Sequence, residues 1–148
     1  MRLMQIDDLD FVFRWRVHPK VSKYMFSKGP KNINAHKEWF CQVTKNPDVS
    51  LLIYEHKGHP KGFVKINYLD CSTVAEWGFF LAPENQRPRG IEFGTFTVNF
   101  LFYNKGLTKI CSQVLQDNAK SVHFHKALGF RQVQLSKQNQ SAKTGQVE

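Results

Sequence analysis

The sequence predicts an α/β fold of the α+β kind: a mixed, mostly antiparallel sheet with flanking helices. Three observations carry this expectation. Val74 to Ala82 is almost continuously apolar, which suits a central strand covered on both faces. Two earlier runs, Ser50 to Glu55 and Gly62 to Leu69, flank the turn Lys57-Gly58-His59-Pro60 and read as an antiparallel meander. After the apolar strand, a helical run leads into a further strand, Thr108 to Leu115, so the chain makes a strand–helix–strand crossover.

Each element has a local reason. Arg2 to Ile6 gives a short strand, and Asp7-Asp8-Leu9-Asp10 opens a helix whose apolar part, Phe11 to Val17, stops near Pro19. Val21 to Phe26 is a second short helix or a loop, and Lys28-Gly29-Pro30 breaks the chain. Asn34 is expected to cap a helix from Ala35 to about Thr44, with Trp39, Phe40 and Val43 as its apolar face. Asn46-Pro47-Asp48 ends it. Asp70-Cys71-Ser72 turns the meander into the central strand, and Pro83 ends that strand because it has no N–H for a ladder. From Phe93, the residues Phe96, Phe100 and Leu101 recur at helical spacing up to Lys105, and Gly106 is a good stop. Asp117 or Asn118 caps a last helix, Ala119 to Leu128, closed by Gly129. Phe130 to Leu135 is one more strand. Residues 1–135 are expected to form a single domain and 136–148 a polar, mobile tail.

Composition narrows the function classes. A chain of 148 residues can bury a full core, roughly 68–70% of its unfolded surface at this size. Its three cysteines, Cys41, Cys71 and Cys111, are widely spaced and form no CxxC or Cys/His pattern. That predicts reduced thiols, no metal, and a cytoplasmic protein. No apolar run approaches the ~20 residues of a membrane span, and MRLMQIDDLD does not read as a signal peptide. The net charge of +9 invites a nucleic-acid partner. The cations are spread along the chain, however, and no groove-reading helix is evident, so a small polyphosphate ligand is the better expectation. The 13 phenylalanines fall mostly in periodic segments and are expected to pack the core.

The most informative stretch is Gln86-Arg87-Pro88-Arg89-Gly90 and the helix it feeds. Two arginines and a glycine arrive at a helix N-terminus, where free backbone N–H groups and the positive end of the dipole favour an anion. A phosphate-bearing ligand is therefore expected at residues 89–95.

Arg89-Gly90-Ile91-Glu92-Phe93-Gly94 resembles the acetyl-CoA motif of the GCN5-related N-acetyltransferase (GNAT) superfamily, Arg/Gln-x-x-Gly-x-Gly/Ala after an apolar strand. A second landmark, Asn118-Ala119-Lys120-Ser121-Val122-His123-Phe124-His125-Lys126-Ala127-Leu128-Gly129-Phe130, is similar to the family's Asn-led helix ending Leu-Gly-Phe. In the first half, Phe13-Arg14-Trp15-Arg16-Val17-His18-Pro19, then Met25 and His36, resembles the subgroup that acetylates a UDP-linked 4-amino-4,6-dideoxy sugar in pseudaminic acid synthesis. Val17 replaces that subgroup's Asn. A related branch, acting on ribosomal-protein N-termini, also opens with a Trp-Arg helix.

The resemblance implies a GNAT fold whose central strand splays from the next, parallel one. It implies acetyl-CoA as cosubstrate, with Phe80, Leu81 and Ala82 pairing with the pantetheine arm. Arg87, Arg89, Gly90, Ile91, Glu92, Phe93, Gly94, Thr95 and Asn118 would complete that site. Arg16, His18, Met25 and His36 would face the acceptor, a guanidinium being suited to a diphosphate. For Arg16 a surface ion pair with Asp8 or Asp10 is the alternative. Glu76, the one ionisable group in the central strand, is a candidate base whose pKa burial would raise; a carboxylate paired with a cation is the other reading. His125 stands where many members carry a Tyr thought to protonate the CoA sulfur, an acid role open to imidazole; a core histidine is the alternative.

Two departures stand out. Glu92 replaces the first motif glycine, and a carboxylate roughly 5 Å from a phosphate charge costs about 3 kcal/mol at an effective dielectric of 20, under 1 if it points into water. Weakened acetyl-CoA binding is the expectation. The family's last strand pair is missing as well, since little that is apolar follows Leu135. Either the acceptor site then lacks a wall, or a partner chain supplies it by edge pairing, making a homodimer through the sheet edge. The leading expectation is an N-acetyltransferase of a nucleotide-linked amino sugar. A protein N-terminus or small amine as acceptor, and a degenerate CoA-binding or partner-binding module without catalysis, remain open beside it.

Overall fold

The structure, a computed structural model, describes residues 1–69, 73–85, 90–115, 117–133 and 144–147. Among them a seven-stranded sheet runs in the order β1-β2-β3-β4-β5-β7-β6. The strands are β1 (Arg2–Leu3), β2 (Val49–His56), β3 (His59–Tyr68), β4 (Val74–Leu81), β5 (Lys109–Leu115), β6 (Gln132–Val133) and β7 (Thr144–Val147). The helices are α1 (Leu9–Val17), α2 (Pro19–Ser22), α3 (Ile33–Val43), α4 (Gly90–Lys105) and α5 (Ala119–Ala127). Every neighbouring pair is antiparallel except β4 and β5.

Alternation along β4 sorts its side chains into two cores. Ala75 and Trp77 face a cluster with Phe93 and Leu101 of α4, Ile110 and Val114 of β5, and Phe130. Phe80 faces the other, with Leu9 and Val12 of α1, Val21 of α2 and Phe63 of β3. Aromatic pairs fill both: Trp77 stacks on Phe130 at 5.6 Å and Phe80 on Phe63 at 4.9 Å. Most of the phenylalanines thus serve packing, while Phe26, Phe96 and Phe102 are exposed.

Several boundaries differ from the sequence expectation, for local reasons. Asn32, not Asn34, caps α3, its side chain accepting from the Ala35 N–H at 2.9 Å. The helix therefore begins at Ile33. α4 starts at Gly90, three residues ahead of its first apolar anchor, Phe93, because a helix's first turn needs no buried face. Asn118 caps α5 as one of the two expected residues, accepting from the Ser121 N–H at 3.1 Å. The tail is the larger correction. Thr144–Val147 is a strand, paired with β5 on one side and β6 on the other. Ladder bonds are main-chain bonds, so a polar Thr-Gly-Gln-Val segment can close a sheet without apolar side chains. The edge of β5 is thus covered by the chain's own β7, and β6 is the outer strand on that side among the described residues.

The parallel ladder between β4 and β5 covers only Val74–Glu76 against Lys109–Cys111. Beyond it the strands part, as the resemblance implied, while Ser112 Oγ donates to the Trp77 carbonyl at 3.5 Å in the crotch. α5 lays Phe124 and His125 against Phe79 and Trp77 there.

Gly94 locks α4 to α5. A Cβ at this position would lie 2.6 Å from both Leu128 Cδ1 and Phe124 Cζ. Gly94→Ala gains about 1 kcal/mol of helix propensity but overpacks this seam at a cost of about 1–3 kcal/mol. We expect a net loss of up to about 2 kcal/mol in urea unfolding; a variant more stable than the parent would show that the seam opens freely.

Candidate active site

The splay and the first two helices enclose two cavities. The first, about 310 Å³, lies between the diverging strands. Gly78–Leu81 of β4 and Ser112–Leu115 of β5 form its sides, Asn118, Ser121, Phe124 and His125 of the α5 region its floor, and Gly90 of α4 one end. The second, about 500 Å³, lies on the other face of β4, where Arg16, Phe26, Lys28, His36, Trp39 and Lys65 line it. Met25, Phe26 and Gly78–Phe80 line both, so the cavities meet across these residues.

Gly78 sits at that junction, and a Cβ there would meet nothing within 4 Å. The sequence expectation missed it, although an isolated glycine inside an apolar strand is a recognisable sign of close backbone approach. Lys28, Lys65, Ser112 and Gln113 were missed too, with no local signal to mark them.

The expected cosubstrate residues divide. Phe80, Leu81, Gly90 and Asn118 line the first cavity. Past Glu76, β4 has no ladder partner on its β5 side among the described residues, so its main chain is open to a ligand. An extended arm with amide groups fits such a slot. Ala82 does not line it, because its N–H is spent on the Lys61 carbonyl at 3.0 Å. Arg87 and Arg89 lie outside the described residues. Phe93 is a core side chain, edge-on to Tyr54 at 5.2 Å, and Gly94 packs against α5. Ile91 and Thr95 are exposed and line neither cavity. What residues 90–94 offer an anion is the backbone of a helix's first turn. Glu92 has a side chain 53% exposed and is turned to His56, whose Nδ1 lies 3.3 Å from its carboxylate. His56 is thereby a partner of Glu92, not the solvated turn residue its position suggests.

His125 is buried, and its Nδ1 lies 2.7 Å from the Ser121 carbonyl. A carbonyl only accepts, so Nδ1 carries the hydrogen and Nε2 keeps a lone pair, buried and without a partner. Burial lowers the pKa, and the bond to Ser121 offsets only part of that. The resting ring is neutral, an acceptor at Nε2; to serve as an acid it must first take a proton.

On the acceptor side the structure brings Arg16, Met25 and His36 to one cavity and leaves His18 outside. His18 caps α2, its Nδ1 accepting from the Lys20 N–H at 3.2 Å. Arg16 makes no pair with Asp8 or Asp10. Its Nη2 donates to the carbonyl and hydroxyl of Ser27 at 2.7 and 3.2 Å, while Nη1 is buried without a partner among the described residues. Asp8 is instead clasped by both terminal nitrogens of Arg2, at 2.6 and 2.8 Å. Burial with no compensating carboxylate lowers the Arg16 pKa. His36, 4% exposed, stacks on Trp39 at 5.1 Å, and its Nε2 is also buried and unpartnered. Burial first, and then the Arg16 charge, lower its pKa, so it too rests neutral.

Glu76 is only half-buried; its Oε2 accepts from Gln113 Nε2 at 2.9 Å, and it lines neither cavity. The full burial expected for it is absent. Among the described residues no cluster of three or more metal-ligating side chains occurs, and no helix is long and apolar enough to cross a membrane.

Comparison with known proteins agrees with this architecture. The spermidine N-acetyltransferase of Vibrio cholerae, solved with CoA and spermine, superposes on 99% of this chain and 90% of its own with a TM-score of 0.83 at 17% identity. The Campylobacter jejuni N-acetyltransferase PseH, solved with acetyl coenzyme A, covers 97% of this chain and 90% of its own with a TM-score of 0.73 at 12% identity. At such identities the likeness is one of fold. An uncharacterized protein of Methanocaldococcus jannaschii is 23% identical over 149 residues, 95% of this chain, which spans only 29% of that relative's length. The acetyltransferase (GNAT) domain family matches residues 1–131, nearly the whole chain, and the protein belongs to that family.

Proposed function

We propose that the protein transfers an acetyl group from acetyl-CoA to the primary amine of an anionic acceptor, a nucleotide-linked amino sugar of the 4-amino-4,6-dideoxy type. One observation carries the acceptor class: every charged side chain on the described wall of the second cavity is a cation. Arg16, Lys28 and Lys65 stand there with neutral His36, and no carboxylate joins them. A polyamine would bring its own positive charges to this wall, at about 3 kcal/mol for a like pair 6 Å apart at an effective dielectric of 20. A diphosphate would instead meet the unpartnered Nη1 of Arg16.

The division of labour follows from the two cavities. Acetyl-CoA supplies an activated thioester when bound. The open main chain of Gly78–Leu81 orients the arm that carries it, and the first turn of α4, with the basic loop before it, holds the diphosphate. Met25, Phe26 and Phe80 exclude water where the cavities meet, and Gly78 leaves the amine its path to the carbonyl carbon. His125, bare at Nε2, accepts a hydrogen bond in the first cavity and can pass a proton to the departing sulfur only after gaining one.

Thiol release tests the whole reading. Acetyl-CoA with a UDP-4-amino-4,6-dideoxy sugar should release free thiol, and spermidine should be a far poorer acceptor; preference for spermidine would overturn the acceptor assignment. Arg16→Ala should raise KM for the sugar nucleotide at least tenfold, about the 1.5–3 kcal/mol of a charge-assisted hydrogen bond, with kcat less affected. Gly78→Val adds a side chain in open space at the junction. It should leave thermal stability intact and reduce transfer more than tenfold, whereas full activity would place the reacting atoms elsewhere. Glu92 is exposed and turned to His56, so its repulsion stays in the screened limit. Glu92→Gln should change CoA affinity by less than about fivefold, the equivalent of 1 kcal/mol; calorimetry showing a larger gain would mean that the phosphates do feel this charge.

A further inference from the structure

The second cavity contains a group that substrate holding alone does not explain. His36 is a buried imidazole on α3, pressed between the indole of Trp39 at 5.1 Å and the ring of Phe13 of α1 at 5.8 Å. These contacts fix the ring plane. Its Nε2 is buried without a hydrogen-bond partner among the described residues. A buried polar atom left unmatched costs about 1–3 kcal/mol, a cost that a ligand in the cavity can remove. The wall that His36 shares includes Gly78–Phe80, the strand segment that also borders the first cavity.

We propose that His36 is a catalytic residue that accepts the proton of the acceptor ammonium at Nε2, a role the sequence pattern gave to Glu76. The assignment rests on the transferase reading above. The proton balance is simple. The N–H bond of the ammonium breaks, its electron pair stays on nitrogen, and Nε2 gains the proton. The freed pair then forms the C–N bond as the C–S bond breaks. The second proton lost by nitrogen goes to the thiolate, and the proton on His36 leaves to solvent at the end of the cycle.

The electrostatic setting favours this direction. The charged groups that share the cavity with His36 are Arg16 from α1, Lys28 from the segment before α3 and Lys65 from β3, all cations. Each opposes a resting imidazolium, so the ring waits unprotonated at neutral pH, its pKa lowered by burial and by Arg16. A bound anionic acceptor offsets those cations and eases protonation at the step that requires it. Glu76 is placed less well: its carboxylate is held by Gln113 and borders neither cavity.

The test pairs kinetics with a spectroscopic readout on the free protein. His36→Gln should lower kcat by about a hundredfold or more, the usual contribution of a positioned base, while CoA affinity by calorimetry and the near-UV circular dichroism stay as in the parent. The acid limb of the parent's kcat/KM profile should vanish in this variant. In the unliganded parent, the NMR titration of the His36 ring, assigned through its contact with Trp39, should have a midpoint below the ordinary 6.5 that coincides with that limb. The titration decides alone if the variant does not fold. An active parent whose acid limb survives His36→Gln, or moves only in Glu76→Gln, or departs from the ring's midpoint, overturns this assignment and leaves the transferase reading intact. A parent inert toward the sugar nucleotide and every other amine overturns both.

Discussion

β4 and β5 share a ladder as far as Glu76 and Cys111 and then diverge, and most of what the molecule can do follows from that parting. Backbone amides that leave a ladder must find other partners, because an unmatched buried N–H or C=O is expensive. In this fold they face a slot, and a ligand with its own amides is the natural partner. β3 holds β4 along its whole length on the other side, and β7 holds the far side of Ser112–Leu115. The slot therefore stays open without loosening the sheet. The aromatic wedge of Phe79, Phe124 and His125 prevents it from closing.

Electrostatics then separates the two sides of the slot. Two histidines are buried, one in each cavity, and each keeps Nε2 without a partner. Their histories differ. His125 sits among Trp77, Phe79 and Phe130 with its other nitrogen tied to Ser121, so its surroundings are apolar and its tautomer is fixed. His36 sits beside Arg16, within a cation-lined wall. Protonating His125 depends mainly on desolvation, which a ligand in the first cavity would deepen. Protonating His36 depends also on nearby charge, which an anionic acceptor would relieve. A ligand in the first cavity would thus hold the His125 ring neutral, whereas an anion in the second would make the His36 ring easier to protonate.

The fold was legible where periodicity and punctuation agreed. The apolar run of β4, the hairpin between β2 and β3 and the Asn118 cap all follow from local rules, and the structure has them. The cavity walls were legible only where a residue's type carries its chemistry, as for Arg16, His36 and His125, which line them. Gly78 and Lys65 were not, because their importance comes from register: Lys65 lies opposite Gly78 across the β3–β4 ladder, a relation no window of sequence displays. Asn32 and Asn34 both satisfy the same capping rule two residues apart, so the rule by itself does not fix which one caps α3. The strand at Thr144–Val147 escaped notice because main-chain pairing leaves no hydrophobic signature. Glu76 is less buried than its run suggests, for the opposite reason. A lone carboxylate in an apolar run implies burial, yet its side chain leaves the core face and meets Gln113.

The substitution at position 92 bears on whether the site is worn out. In the motif, glycine can serve two ends: it lets a phosphate approach the backbone, and it lets the following helix pack tightly. Here Gly94 meets the second need, since a Cβ there would collide with Leu128 and Phe124. The first need falls on N–H groups at the start of α4, which Glu92 does not block while its carboxylate is turned to His56 on the neighbouring strand. Geometry, not composition, decides the matter. A negative side chain at a helix N-terminus is a competitor only if it reaches the amides, and this one is spent elsewhere. Meanwhile Arg16 and His36 in one cavity and His125 in the other keep buried polar atoms without a partner among the described residues. A buried polar atom without a partner is costly, and a ligand that enters the adjoining cavity can remove that cost. Their place beside an open slot argues for a site that receives ligands.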